Sequence, residues 1–276
     1  MSSDFLMPLL TYPDPTPADA VLRAVDFAAT LGGRVSIVTH NVDIPPITNP
    51  LATTLIDFAG MAANVEAESK KRGERLASEA ANQARRFQLT VQHVVLYCRL
   101  GSLQSQLAEL ARPHDMSLLA MDSSSQSHLD AAEALLFGSG GPLALFPAGA
   151  ATHIETVVVA WDGGRSAART VRDAMPILRL AKKVVLLTVG DDKHVPPASV
   201  AALRTFLSGH DVASHHHDVT REGYSIGETL QSHALAHDGG LLVMGAYGHS
   251  RMREFVLGGA TRSVLAGLRL PIFMSH

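Results

Sequence analysis

The chain has 276 residues, of which 46% are hydrophobic and 18% charged, enough apolar material for a substantial core and too much for a disordered chain. Its formal net charge of −3 argues against a general nucleic-acid binder, which needs a basic surface. The one cysteine, Cys98, excludes an intrachain disulfide framework and a cysteine-based zinc site. No apolar run approaches the ~20 residues of a membrane span. No charged leader with an apolar segment opens the sequence, so the expected setting is the reducing cytoplasm, with neither membrane nor nucleic acid as a partner.

The chain reads as two halves with one plan. The first half opens with the apolar strand FLMPLL, a turn at Asp14 and the helix ADAVLRAVDFAATLG. RVSIVTHNV is the next strand, and a long helical region covers about Thr54 to Phe87. The strand LTVQHVVLYC, the helix SLQSQLAELA, the strand SLLAMDSS, the helix LDAAEALLF and the strand ALFPA complete it. A small, flexible join, PAGAATH, marks the expected boundary between a domain over 1–150 and a domain over 151–276.

The second half repeats the order. HIETVVVAWD is a strand and SAARTVRDAMPILRLAKK an amphipathic helix; VVLLTVGDD is a strand and PPASVAALRTFLSGH a helix. VASHHHDVT is a strand, and SIGETLQSHALAH is a helix opened by a capping box of Ser225 and Glu228. LLVMGAYG is a strand, MREFVLGGATRSVLAG a helix and RLPIFMS a last strand. Nearly continuous apolar strands alternating with helices predict an α/β fold with parallel sheets covered on both faces.

The stretch from Leu241 to Leu265 points furthest toward function. An apolar strand ends at Gly245, Gly248 follows, and Gly258 and Gly259 come after nine intervening residues. Glycines allow close backbone approach to a ligand, and a helix N-terminus offers unpaired N–H groups to an anion. The outline is that of a nucleotide-phosphate site. Residues 1–150 carry 10 basic and 15 acidic side chains and residues 151–276 carry 13 and 11, so the basic surplus sits with the glycine loop.

The spacing Gly245-x2-Gly248-x9-Gly258, with Asp162 just after the first strand of the second half, resembles the universal stress protein family. The likeness covers 153–276; the first half matches in element order and in its closing LLFGSGGPLALFPA. The resemblance implies a tandem protein of two open parallel five-stranded sheets, each of order 3-2-1-4-5, of the adenine-nucleotide-hydrolase-like type. It implies that the second half binds ATP, accompanied by Mg²⁺, as a regulatory switch. Adenine and ribose contacts then fall to Ala160, Trp161, Asp162, Val189 and Met244. Triphosphate contacts fall to Gly245, Gly248, Gly258, Gly259 and Ala260. Read from the residues themselves, Thr261 offers a substitute hydroxyl, and His249, directly after Gly248, is either a phosphate donor or an exposed loop residue. In this family the last strands of two domains pair; here ALFPA and LPIFMS would pair within one chain as a pseudo-dimer, and a homodimer of the tandem is a further expectation. The alternative is an interaction module that holds no nucleotide and acts through an unknown protein partner.

Two departures bear on that choice. The family pattern has Ser or Thr where this chain has Gly259, and Trp161 either stacks on a base or fills the pocket. In the first half Met121-Asp122-Ser123-Ser124-Ser125 replaces the glycine turn, and the Asp122 carboxylate is expected where phosphates would go. No G-x4-G-K-[ST] or G-x-S-x-G occurs. No positioned catalytic base is evident, so no catalytic residue is assigned. His215 and His217 share one face of an expected edge strand and read as a solvent-facing polar edge, not as metal ligands.

Overall fold

A computed structural model describes residues 3–45, 57–99, 101–192, 194–246 and 259–276. The first half comprises β1 (Ser3–Leu9), α1 (Ala18–Leu31), β2 (Gly33–Asp43), α2 (Phe58–Arg86), β3 (Thr90–Arg99), α3 (Leu103–Ala111), β4 (Met116–Met121), α4 (Gln126–Gly138) and β5 (Leu143–Pro147). The second comprises β6 (Thr156–Ala160), α5 (Arg165–Asp173), α6 (Met175–Leu178), β7 (Lys183–Val189), α7 (Pro197–Ser208), β8 (Ser214–Val219), α8 (Ile226–Ala236), β9 (Leu241–Gly245), α9 (Gly259–Leu265) and β10 (Ile272–Ser275).

The strands form one sheet of ten, in the order β3-β2-β1-β4-β5-β10-β9-β6-β7-β8. Each half therefore has the order 3-2-1-4-5, and its strands run parallel. The two expected sheets are not separate. β5 and β10 pair antiparallel, Leu145 opposite Ile272 and Ala144 opposite Phe273. Both strands are short, apolar and fully buried, so each supplies the partner that the other's open edge lacks.

Helices cover both faces. One apolar layer joins Phe5, Met7, Phe146, Phe273, Val157 and Val243 to residues of α1, α2, α5, α6 and α7. The other joins Leu6, Leu119, Leu145, Ile272 and Leu242 to α3, α4, α8 and α9. Period-2 alternation sends neighbouring strand residues to opposite layers, and both layers run across the seam between the halves.

The helix expected over SAARTVRDAMPILRLAKK is broken. α5 stops at Asp173, and α6 restarts with Pro176 in its first turn. Proline lacks the N–H for an i→i−4 bond and its ring clashes with the preceding turn, so the amphipathic pattern continues only after a kink. The capping box of α8 forms as read: Ser225 Oγ accepts from the Glu228 N–H, and Glu228 accepts from the Ser225 N–H. Among the described residues no helix is long and apolar enough to cross a membrane.

Candidate functional site

In the second half the order of strands reverses between β6 and β9, which lie side by side with Ala160 opposite Met244. From β6 the chain proceeds outward to β7 and β8; from β9 it proceeds inward to β10. This is the crevice where open α/β sheets bind ligands, at the carboxyl ends of the strands.

The chain leaving β6 is held in place. The Trp161 N–H donates to the Leu187 carbonyl at 2.8 Å, extending the ladder one residue beyond Ala160. Asp162 Oδ1 then accepts from the Gly164 N–H at 2.7 Å, while Gly163 adopts φ 71°, a left-handed conformation that glycine takes without strain. α5 opens immediately afterwards. The Trp161 indole is half-buried, and its Nε1 donates to Ser199 Oγ, in the first turn of α7, at 3.1 Å. Val189 ends β7 half-buried.

Gly245 ends β9 against the first turn of α5. A Cβ there would lie 2.4 Å from the Ala167 nitrogen and 2.7 Å from the Ser166 carbonyl carbon, so glycine is required for helix and strand to approach this closely. The Ala246 N–H then donates to the Ser275 carbonyl at 2.9 Å. Ala160, Trp161, Asp162, Val189, Met244 and Gly245 thus share one edge of the sheet. Met244 is 4% exposed and lies in the core, so only its backbone faces that edge. Gly248, His249 and Gly258 lie outside the described residues. Gly259 and Ala260 begin α9, and Thr261 is 1% exposed, its side chain turned inward. Sequence reading missed Ser199: 38 residues separate it from Trp161, and no local pattern marks it.

The matching end of the first half is filled by its own side chains. Asp122 folds back on its own loop, where Oδ1 accepts from the Ser124 N–H at 2.9 Å and from Ser124 Oγ at 2.7 Å. These bonds, the backbone one first, hold the Asp122 carboxyl below the usual range. The carboxylate at the start of α4 is that of Asp14, whose Oδ2 accepts from Ser125 Oγ at 2.8 Å. A negative group suits the positive end of the α4 dipole. Buried His128 locks the arrangement: Nδ1 accepts from the Asp122 N–H at 2.7 Å, and Nε2 donates to the Asp14 carbonyl at 3.2 Å. Burial pushes the His128 pKa down.

Beside this network His40, at 4% exposure, faces Thr11 Oγ1 at 3.3 Å. Burial lowers the His40 pKa from 6.5 to about 4. Between those values the unfolded chain binds more protons than the folded one, so this stabilisation is complete above the unfolded value and lost as pH falls toward the folded one. His128 acts with the same sign. A drop in unfolding free energy of about 3 kcal/mol between pH 7 and 4 is expected from His40. Urea denaturation across that range checks it: His40→Gln should flatten the slope, and an unchanged slope would contradict the assignment.

On the edge strand β8 the histidines are exposed, and the His217 ring packs on His237 with centroids 4.5 Å apart. His216 faces the opposite side and bonds Thr188 Oγ1 at 2.9 Å. Among the described residues no three His, Cys, Asp or Glu side chains gather at metal-binding distance.

No family model and no curated protein matches the chain. Solved structures match its fold over the full length. A universal stress protein from Archaeoglobus fulgidus DSM 4304 is 14% identical, with a TM-score of 0.71 over 100% of this chain and 96% of that one. A putative universal stress protein from Pseudomonas aeruginosa UCBPP-PA14 is 14% identical, with a TM-score of 0.57 over 99% and 93%. A functionally unknown protein from Pseudomonas aeruginosa PAO1 is 13% identical, with a TM-score of 0.58 over 99% and 92%. At these identities the common property is the fold.

Proposed function

We propose that this chain, which carries the fold of universal stress proteins over its whole length, is a tandem member of that family with domains over 1–150 and 151–276, and that its second domain binds an adenine nucleotide. The observation that carries this reading is the switch point between β6 and β9, followed directly by the spacing Gly245-x2-Gly248-x9-Gly258. Ala160, Trp161, Asp162, Val189 and Met244 receive the nucleoside. Gly245, Gly248, His249, Gly258, Gly259, Ala260 and Thr261 receive the phosphates, with Mg²⁺ as counter-ion. Gly259 has no hydroxyl and Thr261 is turned inward, so backbone N–H groups hold the phosphates.

Binding acts as a switch that a protein partner reads. A second reading, partner binding without nucleotide, draws support from the Trp161–Ser199 hydrogen bond, which ties the indole to α7. Trp161 is the one tryptophan of the chain, so its fluorescence separates the two. Under the first reading Mg·ATP loosens or stacks the indole and changes its emission saturably. Emission unmoved by ATP, with calorimetry also silent, favours the second.

A further inference from the structure

Among the described residues the sheet ends in two edge strands, β3 and β8. β8 is short and reads SHHHDV, a run of polar side chains before Val219. β3 spans ten residues, and from Thr90 to Cys98 it carries no proline, lysine or carboxylate. Those are the residues that keep an edge from pairing with another strand. β3 pairs with β2 alone, so its outer backbone N–H and C=O groups have no partner strand among the described residues. Tyr97 and Val95 on it are 80% and 41% exposed.

Register places Val91, His93, Val95 and Tyr97 beside Val35, Ile37, Thr39 and Asn41 of β2, on the face that α2 covers. His93 Nε2 lies 2.9 Å from Thr39 Oγ1, which holds its ring against β2. α2 crosses this face above β2, with Gly73 against Thr39. Gln83 of α2 donates to Asp26 and so marks the flank toward α1. Ala63, Lys70, Glu74 and Ala81 recur at helical spacing on the opposite flank, the one that looks outward over β3. Lys70 and Glu74 are exposed there.

We infer that β3 is a dimer edge whose occupant is β3 of a second copy of this chain, antiparallel about a two-fold axis at Val95. This axis sets Val95 against the partner's Val95 and Tyr97 against the partner's His93, so no like charges are opposed. Three strand spacings, about 14 Å, separate β2 from its mate, and with them the two α2 helices. Gly73 stands level with Thr39, and Thr39 with Val95, so the middle of α2 lies beside the axis. There Lys70 faces the partner's Glu74 and Glu74 the partner's Lys70, long side chains of opposite charge that span such a gap. The chain already joins its own halves by the same device, β5 to β10, antiparallel and apolar. Because the polar β8 cannot repeat it, assembly closes at two copies.

The test is sedimentation velocity of the full chain at micromolar concentration, where two 29.3 kDa chains should travel as one dimer. Val95→Lys opposes two ammonium groups on the axis and should raise the dissociation constant roughly tenfold or more, while His215→Lys on the other edge should leave it unchanged. Lys70→Glu alone should weaken the dimer, and Lys70→Glu combined with Glu74→Lys should restore it. Val95→Cys should yield disulfide-linked dimers under mild oxidation that the unmodified chain, with its buried Cys98, does not form. A monomer, or a dimer that Val95→Lys leaves intact, would overturn the inference. Should Val95→Lys not fold, the Val95→Cys cross-link and the charge reversal on α2 decide the matter alone.

Discussion

Replacing Phe273 by alanine is expected to destabilise the chain by about 3–5 kcal/mol. Phe273 is fully buried at the centre of β10 and stands opposite Ala144 across the antiparallel seam. Its layer of the core also holds Phe146, whose ring packs on Phe27 with centroids 5.3 Å apart. Truncation would leave a hole beside an alanine, which cannot reach in to fill it, so the lost burial and the cavity both count. Because this layer runs without a break from α1 to α7, signals from both halves should shift together. Urea denaturation followed by far-UV circular dichroism measures the loss. A cost under about 1 kcal/mol, well below the usual range for a buried phenylalanine, would mean that the seam carries little of the stability.

Gly248→Val is expected to weaken Mg·ATP binding at least 100-fold, about 2.7 kcal/mol. Gly259 has no hydroxyl, so on the proposed reading backbone N–H groups are the donors to phosphate. Such donors work only when the chain itself can touch the anion, and a β-branched side chain at Gly248 keeps it away. Gly245 is not an equivalent test site. Its missing Cβ makes room for α5, so a substitution there would disturb packing before it reached any ligand. Calorimetry on the Gly248→Val chain checks the prediction; an affinity within threefold of the unmodified chain would remove the glycine loop from the site.

The alternation of strands and helices, written twice in the chain, made parallel sheets covered on both faces legible; the strand order followed only from the resemblance that the glycine spacing carries. The seam between ALFPA and LPIFMS was likewise expected from the resemblance, and the short, buried, apolar character of both strands is the physical reason they pair. The break between α5 and α6 was also written in the sequence, as Pro176, but the amphipathic period across it masks the stop. What escaped is the set of contacts between distant segments. Trp161 meets Ser199 across 38 residues, and His128 meets Asp14 across 114. No spacing rule joins such pairs; only the sheet order brings them together. Asp14, the carboxylate that bonds Ser125 at the start of α4, escaped in the same way, since it comes from the loop after β1.

Calorimetric titration of the unmodified chain with Mg·ATP, on protein whose released small molecules have first been identified by mass spectrometry, tests the central claim most directly. Binding of one adenine nucleotide per chain, whether carried through purification or taken up in the calorimeter, is the predicted result. No released nucleotide and no binding heat at millimolar ATP would contradict it and leave the chain as a module that works through its surfaces.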